Sequence, residues 1–421
     1  MAKFYDIDPE TCSIEELEKS IEDVGNKMDY YHTMEQSAKV FINSVYGVFG
    51  TKFFNLCNTK IAESITLQGQ HLIKFSVEQI NDYFRNVWPT DYDAHNRIAD
   101  KMVKMFPDFD KGNFLKFATS NLLSFNTLQA YGDTDSAYIT LQPLIDACHI
   151  PIEQQTVFDV VVYEEAMEEY LNKKFDYYAS VFNCEKNLEK FELEKISRTI
   201  IMQAKKHYCC DVAWVDTGDY LPPLSHVTYT GVVVVQGTIS DYCRKEVKDF
   251  YEFVLTHLNS GTKPTQGEIV KKLREIKSRF ALQSPNEVSF AKGMSDYEKF
   301  VKNDKCTPIE YFELTNKNGK KQGAPIHVKS AAMYNNMLFN KASRYLSKYN
   351  TIKTGDKMRY YYINKEEAFG FIPDHFPAEF APPMDIDTQF DKIMLSPLNQ
   401  IIVTLGYSEI PPTLMCSRRL F

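Results

Sequence analysis

Tyr131-Gly132-Asp133-Thr134-Asp135-Ser136 sets two carboxylates two residues apart, in a turn between strand-like runs. Upstream, Phe125 to Ala130 reads as one strand; downstream, Ala137 to Leu141 reads as the return strand. Gly132 permits a sharp turn, so the pair is predicted at the tip of a β-hairpin. Carboxylates on a rigid turn offer only oxygen, which suits a hard cation such as Mg²⁺. Two such ions about 3.5–4 Å apart form the usual site for in-line displacement at phosphorus. An ordinary acidic turn uses the same residues, because Gly and Asp favour turns on conformational grounds alone.

Two further elements bear on that choice. Residues 27–50 form a helical pattern that ends in Lys39 to Gly50 (KVFINSVYGVFG). Lys39, Asn43 and Gly47 recur every four residues and share one helix face, with Tyr46 beside them. A cation there suits a polyphosphate, and bare backbone lets a flat base pair come close. A solvated lysine, a capping asparagine and a glycine stop would use the same residue types. Later, Ile200 to Val212 (IIMQAKKHYCCDV) reads as a strand interrupted by Lys205 and Lys206, with Tyr208 a candidate exposed aromatic. Lysines beside a tyrosine fit phosphate contacts plus stacking or groove contact with nucleic acid, and fit equally a strand end with solvated lysines.

In this order the three elements resemble the family B DNA polymerases, most closely the replicative polymerases of large tailed phages. Lys39…Asn43-Ser44-Val45-Tyr46-Gly47 matches the motif B helix, and Tyr131 to Ser136 matches motif C. The Lys205-Lys206-His207-Tyr208 element follows, preceded by Phe191 to Ile196 (FELEKI). Ala324 to Asn335 (APIHVKSAAMYN) is similar to the family's thumb sequence of the Pro-x-His-x-Arg…Tyr-Asn type. Lys329 stands where Arg is usual, which keeps the charge and loses the bidentate fork. The resemblance runs from about residue 25 to the end, strongly to residue 210 and more loosely beyond.

The resemblance implies an α+β right-hand fold, with an antiparallel palm sheet backed by helices and a mainly helical thumb. Residues 1–50 would be the carboxyl part of the fingers, 51–231 the palm and 232–421 the thumb. It implies a DNA-directed DNA polymerase that joins a dNTP to a primer 3′-hydroxyl with two Mg²⁺ ions, Mn²⁺ being a workable substitute. Asp135 would be the direct metal ligand, with Asp133 shaping the turn and Glu194 a weak further candidate beside Glu192. Lys39 would pair with the triphosphate, while Asn43, Tyr46 and Gly47 line the nascent base pair. Lys205, Lys206 and Tyr208 would hold the primer strand, and His327, Lys329 and Tyr334 would add DNA contacts. The end of the chain, Ser417 to Phe421 (SRRLF), is similar to tails that dock on a sliding clamp, and equally suits a Phe packed on the thumb.

A motif A aspartate and the basic fingers helix of the family find no match upstream of Lys39, nor does a proofreading exonuclease. Met1 followed by Pro9 and a helix entry at Ser13 to Glu16 reads as a natural start. The simplest expectation is the carboxyl half of a split polymerase, partnered by an amino-terminal subunit that carries motif A. A cloned fragment or a degenerate remnant would look the same at this end.

Composition is compatible with that and does not identify it. A chain of 421 residues holds two or three domains. A net charge of −8 and a pI near 5.7 ordinarily speak against a nucleic-acid binder, but charge is segregated here. Acidic residues gather in an expected amphipathic helix, Glu153 to Glu169, with Val161, Met167 and Leu171 on its apolar side. Further helices are expected at Ile61 to Phe84, from Asp241 to about Leu258, and from Thr265 onward. The last of these carries Lys271, Lys272, Arg274, Lys277 and Arg279, either a solvated face or a track along phosphates. The loop Asn316 to Lys321 has the same two readings. Nine cysteines without a Cys-x-x-Cys spacing suggest reduced thiols in a cytosol, the host's if the chain is viral. No apolar run is long enough for a membrane span. Two other classes stay open: a non-catalytic DNA-binding or processivity subunit, against which Asp135 and Lys39 weigh, and a clamp-linking scaffold, which nothing in the sequence supports.

Overall fold

The computed structural model describes residues 12–119, 128–133, 136–315 and 319–415. Ser13 opens the first helix, α1 (Ile14–Gly50), with a capping box: its hydroxyl accepts from the Glu16 amide at 3.3 Å, and the Glu16 carboxylate accepts from the Ser13 amide at 2.9 Å. The helix starts well before the expected 27–50 pattern and runs past Gly47 to Thr51, whose hydroxyl donates to the Gly47 carbonyl at 2.7 Å. From Ile14 to Phe49 apolar residues recur at alternate steps of three and four, broken once by Glu35. That is the 3.5-residue spacing of a coiled-coil seam. Yet none of the 37 residues of α1 is buried; Phe41 is 70% exposed and Ile42 66%.

Asn58 caps α2 (Thr59–Asp82) by accepting from the Ile61 amide at 3.3 Å. There follow α3 (Tyr92–Met105), α4 (Lys111–Phe117), the hairpin strands β1 (Gln129–Asp133) and β2 (Ser136–Ile139), and α5 (Gln142–Cys148). The expected acidic helix is α6 (Ile152–Val162) joined through a π-helical turn at Tyr163–Met167 to α7 (Glu168–Val181). Val161, Met167 and Leu171 are buried along it, as the apolar spacing requires.

Next come β3 (Lys195–Ala204), β4 (His207–Val215) and β5 (Val227–Thr230), an antiparallel sheet in the order β3-β4-β5. The single strand expected over 200–212 is therefore two strands with a turn at Lys205-Lys206. The hairpin β1–β2 forms a separate two-stranded sheet, so the antiparallel sheet expected from the sequence is two sheets. Ser240 caps α8 (Asp241–Asn259), and Thr265 with Glu268 forms the capping box of α9 (Gln266–Phe280). Both helices begin where turn and cap residues place them.

Beyond α9 the mainly helical region also carries strands. Strands β6 (Phe290–Gly293), β7 (Lys357–Tyr362) and β8 (Ala368–Phe371) form a second three-stranded antiparallel sheet, packed on α10 (Ile326–Asn340). The strands were not anticipated because aromatic residues dominate them, and their apolar runs are too short for periodicity to separate strand from helix. The last long helix is α11 (Ser396–Thr404).

The chain forms two compact units. The first takes the described residues of Met1–Ala99, Asp110–His149 and Met167–Lys190; the second takes those of Asp100–Phe109, Ile150–Ala166 and Phe191–Phe421. In the second, α8, α9 and α11 bury Phe250, Tyr251, Leu273, Phe280 and Leu398 in one core that Ile201 and Cys209 of the β3–β5 sheet join. A second core gathers Ala331, Tyr334 and Leu338 of α10 against Tyr361 and Phe369 of the β6–β8 sheet. The described cysteines form no disulfide with one another, and burial pushes the Cys148 and Cys243 thiols up to about 12. Among the described residues no helix is long and apolar enough to cross a membrane.

One buried group in α6 ties stability to pH. Asp159 Oδ1 is buried without a hydrogen-bond partner, and burial pushes the carboxyl up to about 7. The folded chain keeps this proton to about pH 7, whereas the unfolded chain releases it near pH 4. Stability therefore falls as pH rises through that window. Asp159→Asn is expected to raise the unfolding free energy at pH 8 by up to about 4 kcal/mol, at about 1.4 kcal/mol per pKa unit, and to leave it nearly unchanged at pH 4. Urea denaturation at both values checks this; an equal effect at both would contradict it.

Candidate functional site

In the first unit α2 carries both elements of the predicted catalytic face. At one end, Tyr46 of α1 shares a hydrogen bond with Thr66 at 2.8 Å. At the other, Asn81 accepts the Leu128 amide at 2.9 Å, just before β1. In the hairpin, Tyr131 pairs with Tyr138, Gly132 with Ala137 and Asp133 with Ser136, which leaves a two-residue connection, 134–135. Gly132 and Asp133, expected in the turn itself, instead pair within the ladder, and residues 125–127 of the expected upstream strand lie outside the described residues. Thr134, Asp135 and the side chain of Asp133 lie outside the described residues. So do Cys416 to Phe421, with the proposed clamp tail, and 316–318 of the lysine loop. The flanks of that loop do pair as a hairpin, Thr315 with Lys321 and Leu314 with Gln322.

On α1 the predicted face is solvent-exposed. Lys39 pairs with Glu35 at 2.6 Å, one helical turn away, and hydrogen bonding to Lys39 holds the Glu35 carboxyl below its usual range. Both side chains are more than half exposed, so the pair adds little to stability and does not fix the ammonium. Asn43 is exposed, and a Cβ at Gly47 would meet nothing within 4 Å, so the backbone there is open.

In the second unit Lys205 and Lys206 stand exposed at the β3–β4 turn. Lys206 has a left-handed backbone, φ +61°, uncommon for a residue with a side chain. The aromatic expected to be exposed is not: Tyr208 is only 9% exposed, and His207 is the solvent-facing ring of the turn, its Nδ1 2.9 Å from the Lys205 carbonyl. Beneath the turn, Asp211 is fully buried in β4. Its carboxylate accepts from Asn259 Nδ2 at 2.7 Å and the Leu224 amide at 3.0 Å, with Arg198 Nη1 at 3.6 Å. Thr199 donates to Asn259 Oδ1 at 2.8 Å, so the network ties β3 and β4 to the carboxyl end of α8. Sequence reasoning missed this group; an Asp inside an apolar strand, IIMQAKKHYCCDV, was the available signal.

Several predicted contacts turn out to be structural. Tyr334 is fully buried, and its hydroxyl donates to the Asn350 carbonyl at 2.9 Å. Asn335 is also buried, donating to Asp304, Tyr297 and the Ile352 carbonyl at 3.0 Å each and accepting the Ile352 amide at 2.8 Å. The Tyr-Asn of the thumb-like segment thus holds α10 in place. On the first turn of α10, Lys329 is exposed and His327 half-buried; burial, and then nearby Lys292, lowers the His327 pKa.

On α9, Arg279 clasps buried Glu246 with two hydrogen bonds (2.6 and 3.0 Å), and Lys277 binds Asp387 and the Met415 carbonyl. Arg274 donates to the Leu414 carbonyl at 3.3 Å and Lys272 lies over the Phe253 ring. Four of the five basic residues therefore serve the fold, and the phosphate track is reduced to Lys271. Glu192 and Glu194 are both exposed, and among the described residues Glu194 makes no ion pair with the neighbouring Lys195.

A sequence model of DNA polymerase family B matches residues 15–381, most of the chain. The chain belongs to DNA polymerase family B. Among curated relatives, the DNA polymerase of Choristoneura biennis entomopoxvirus is 26% identical over 194 residues, 44% of this chain and 17% of the relative. DNA polymerase 1 of Sulfolobus acidocaldarius is 34% identical over 87 residues, 20% of this chain and 10% of the relative. DNA polymerase 1 of Saccharolobus solfataricus is 36% identical over 64 residues, 15% of this chain and 7% of the relative. The matches thus span less than a fifth of the length of these relatives.

Family membership raises the question of a divalent metal. Among the described residues no three His, Cys, Asp or Glu side chains converge into a metal site. The sequence supplies two carboxylates here, Asp133 and Asp135, and carboxylate oxygen is the donor that Mg²⁺ takes, but neither side chain is among the described residues. The residue types therefore fit such an ion.

Proposed function

We propose that this family B chain is the carboxyl catalytic portion of a DNA-directed DNA polymerase, and that it works with an amino-terminal polymerase portion supplying the motif A carboxylate. The observation that supports this is the β1–β2 hairpin, whose last ladder pair, Asp133 with Ser136, brackets positions 134–135, in a family whose sequence model spans residues 15–381. Asp135, with Asp133 shaping the turn, would hold the divalent ions together with the motif A carboxylate. When bound, a pair of Mg²⁺ ions, or Mn²⁺, supplies activation of the primer 3′-hydroxyl and charge neutralisation at the leaving pyrophosphate. Glu194 would be a weak further donor.

Lys39 would leave Glu35 for the triphosphate, an exchange that an exposed pair permits at little cost. Asn43 and Tyr46 would flank the new base pair, and open backbone at Gly47 leaves it room. Lys205 and Lys206 would contact the primer backbone without reading sequence, with Lys329 and His327 adding contacts from α10. Tyr208 and Tyr334 would act from beneath, holding the elements that carry these groups. Lys271 of α9 and the loop lysines Lys320 and Lys321 would extend the phosphate contacts, and a clamp contact through Ser417–Phe421 remains part of the proposal.

The bare seam of α1 supports the partner portion. A helix of 37 residues with none buried gains little from tertiary packing, which supplies most helical stability in proteins. An apolar repeat every 3.5 residues fits one further helix at a shallow crossing angle, here one from the amino-terminal portion. Primer extension with Mg²⁺ by the chain mixed with such a portion tests the proposal. Synthesis by the mixture supports it, and absence of synthesis with a folded, associated pair overturns it.

A further inference from the structure

We propose that Gly231 is a positioning residue for the Lys205-Lys206 turn, and that its lack of a side chain is what lets Lys206 present its ammonium to a nucleic-acid backbone. The inference rests on the proposed DNA contact of that turn. Gly231 directly follows β5, whose Thr230 pairs with Tyr208 on β4, so it lies alongside the turn at the end of the sheet. A Cβ at Gly231 would sit 2.0 Å from the Lys206 carbonyl oxygen, 3.1 Å from its carbonyl carbon and 3.3 Å from His207 Cδ2. Two of these three are backbone atoms, which cannot step aside as a side-chain tip can.

The two residues are coupled through their backbones. Gly231 has φ +63° and Lys206 has φ +61°, each in the left-handed region. A non-glycine residue stays there only where its surroundings determine it, and such strain gathers at functional positions. Here the Gly231 Cα closes against the Lys206 peptide on one side while the β3–β4 ladder holds the other. Gln236 secures the glycine in turn, its Nε2 donating to the Gly231 carbonyl at 3.4 Å. Any side chain at 231 pushes the Lys206 peptide away from the sheet and re-aims both lysines. Asparagine, which tolerates left-handed backbone, fails here as well, because the obstacle is the Cβ itself.

Gly218 provides the control. It has φ +88° in the second unit, and a Cβ there would meet nothing within 4 Å. Gly218→Ala thus carries the left-handed backbone cost without moving Lys206. The experiment is an anisotropy titration of primed duplex DNA with the full chain, at several salt concentrations, for wild type, Gly231→Ala, Gly218→Ala and Lys206→Ala. Lys206→Ala is expected to weaken binding and to lower the slope of log affinity against log salt by about one. Gly231→Ala is expected to weaken binding about fivefold or more with a similar loss of slope, and Gly218→Ala to bind as wild type.

Wild-type affinity and slope for Gly231→Ala, with Lys206→Ala impaired, would overturn the inference alone. Wild-type behaviour of Lys206→Ala would overturn the DNA-contact premise and the inference with it. If circular dichroism shows that Gly231→Ala does not fold, Gln236→Ala carries the test, since it removes only the amide bound to the Gly231 carbonyl. A two- to threefold loss supports the inference, and unchanged binding overturns it.

Discussion

Asp135→Ala is expected to abolish nucleotide incorporation by the assembled polymerase, by about a thousandfold or more, while affinity for primed duplex changes less than about threefold. The magnitude follows from the role. A divalent ion contributes several kcal/mol of charge stabilisation in the transition state, and each 1.4 kcal/mol is about a factor of ten in rate. Duplex binding draws instead on lysine–phosphate contacts spread over other elements, so it should survive. Single-turnover incorporation and anisotropy on one preparation separate the two quantities. Activity within tenfold of wild type would remove Asp135 from the metal site and leave the chain a DNA-binding subunit.

Asp211→Ala is expected to lower the unfolding free energy of the second unit by about 3–5 kcal/mol. Asp211 is fully buried, and its loss strands the Asn259 amide and the Leu224 N–H and removes the counter-charge beside Arg198. Asp211→Asn keeps an oxygen acceptor in place and should cost about half as much. Because the network joins β3 and β4 to α8, a fall in primed-duplex affinity should accompany the loss of stability through the Lys205-Lys206 turn. Denaturation followed by circular dichroism measures the first effect. A change below about 1 kcal/mol would show that the carboxylate is not needed to join sheet and helix.

The sequence made helix entries plain because capping is local chemistry: Ser13 with Glu16 and Thr265 with Glu268 form the capping boxes their spacing announces. A hairpin near residues 132–136 was legible as well, although Gly132, read as its turn residue, pairs with Ala137 inside the ladder. The Lys205-Lys206 turn was not. Neither lysine is a turn residue, and the left-handed Lys206 peptide closes against Gly231, from which two strands separate it in sequence. Motif resemblance carried residue types better than roles. Tyr334 and Asn335 match a thumb segment, yet their side chains point into the core. The basic run of α9 misled for a similar reason, because its acidic and carbonyl partners, Glu246, Asp387, Leu414 and Met415, lie far away along the chain. The unburied seam of α1 could not be foreseen, as an apolar repeat looks the same whether or not a partner covers it.

The central claim is that this chain supplies one part of a polymerase site and another portion supplies the rest. Extension of a radiolabelled primer in Mg²⁺ by the isolated chain, beside the chain mixed with an amino-terminal family B portion, tests it most directly. No incorporation by the chain alone and template-directed synthesis by the mixture is the predicted outcome; robust synthesis by the isolated chain would contradict it.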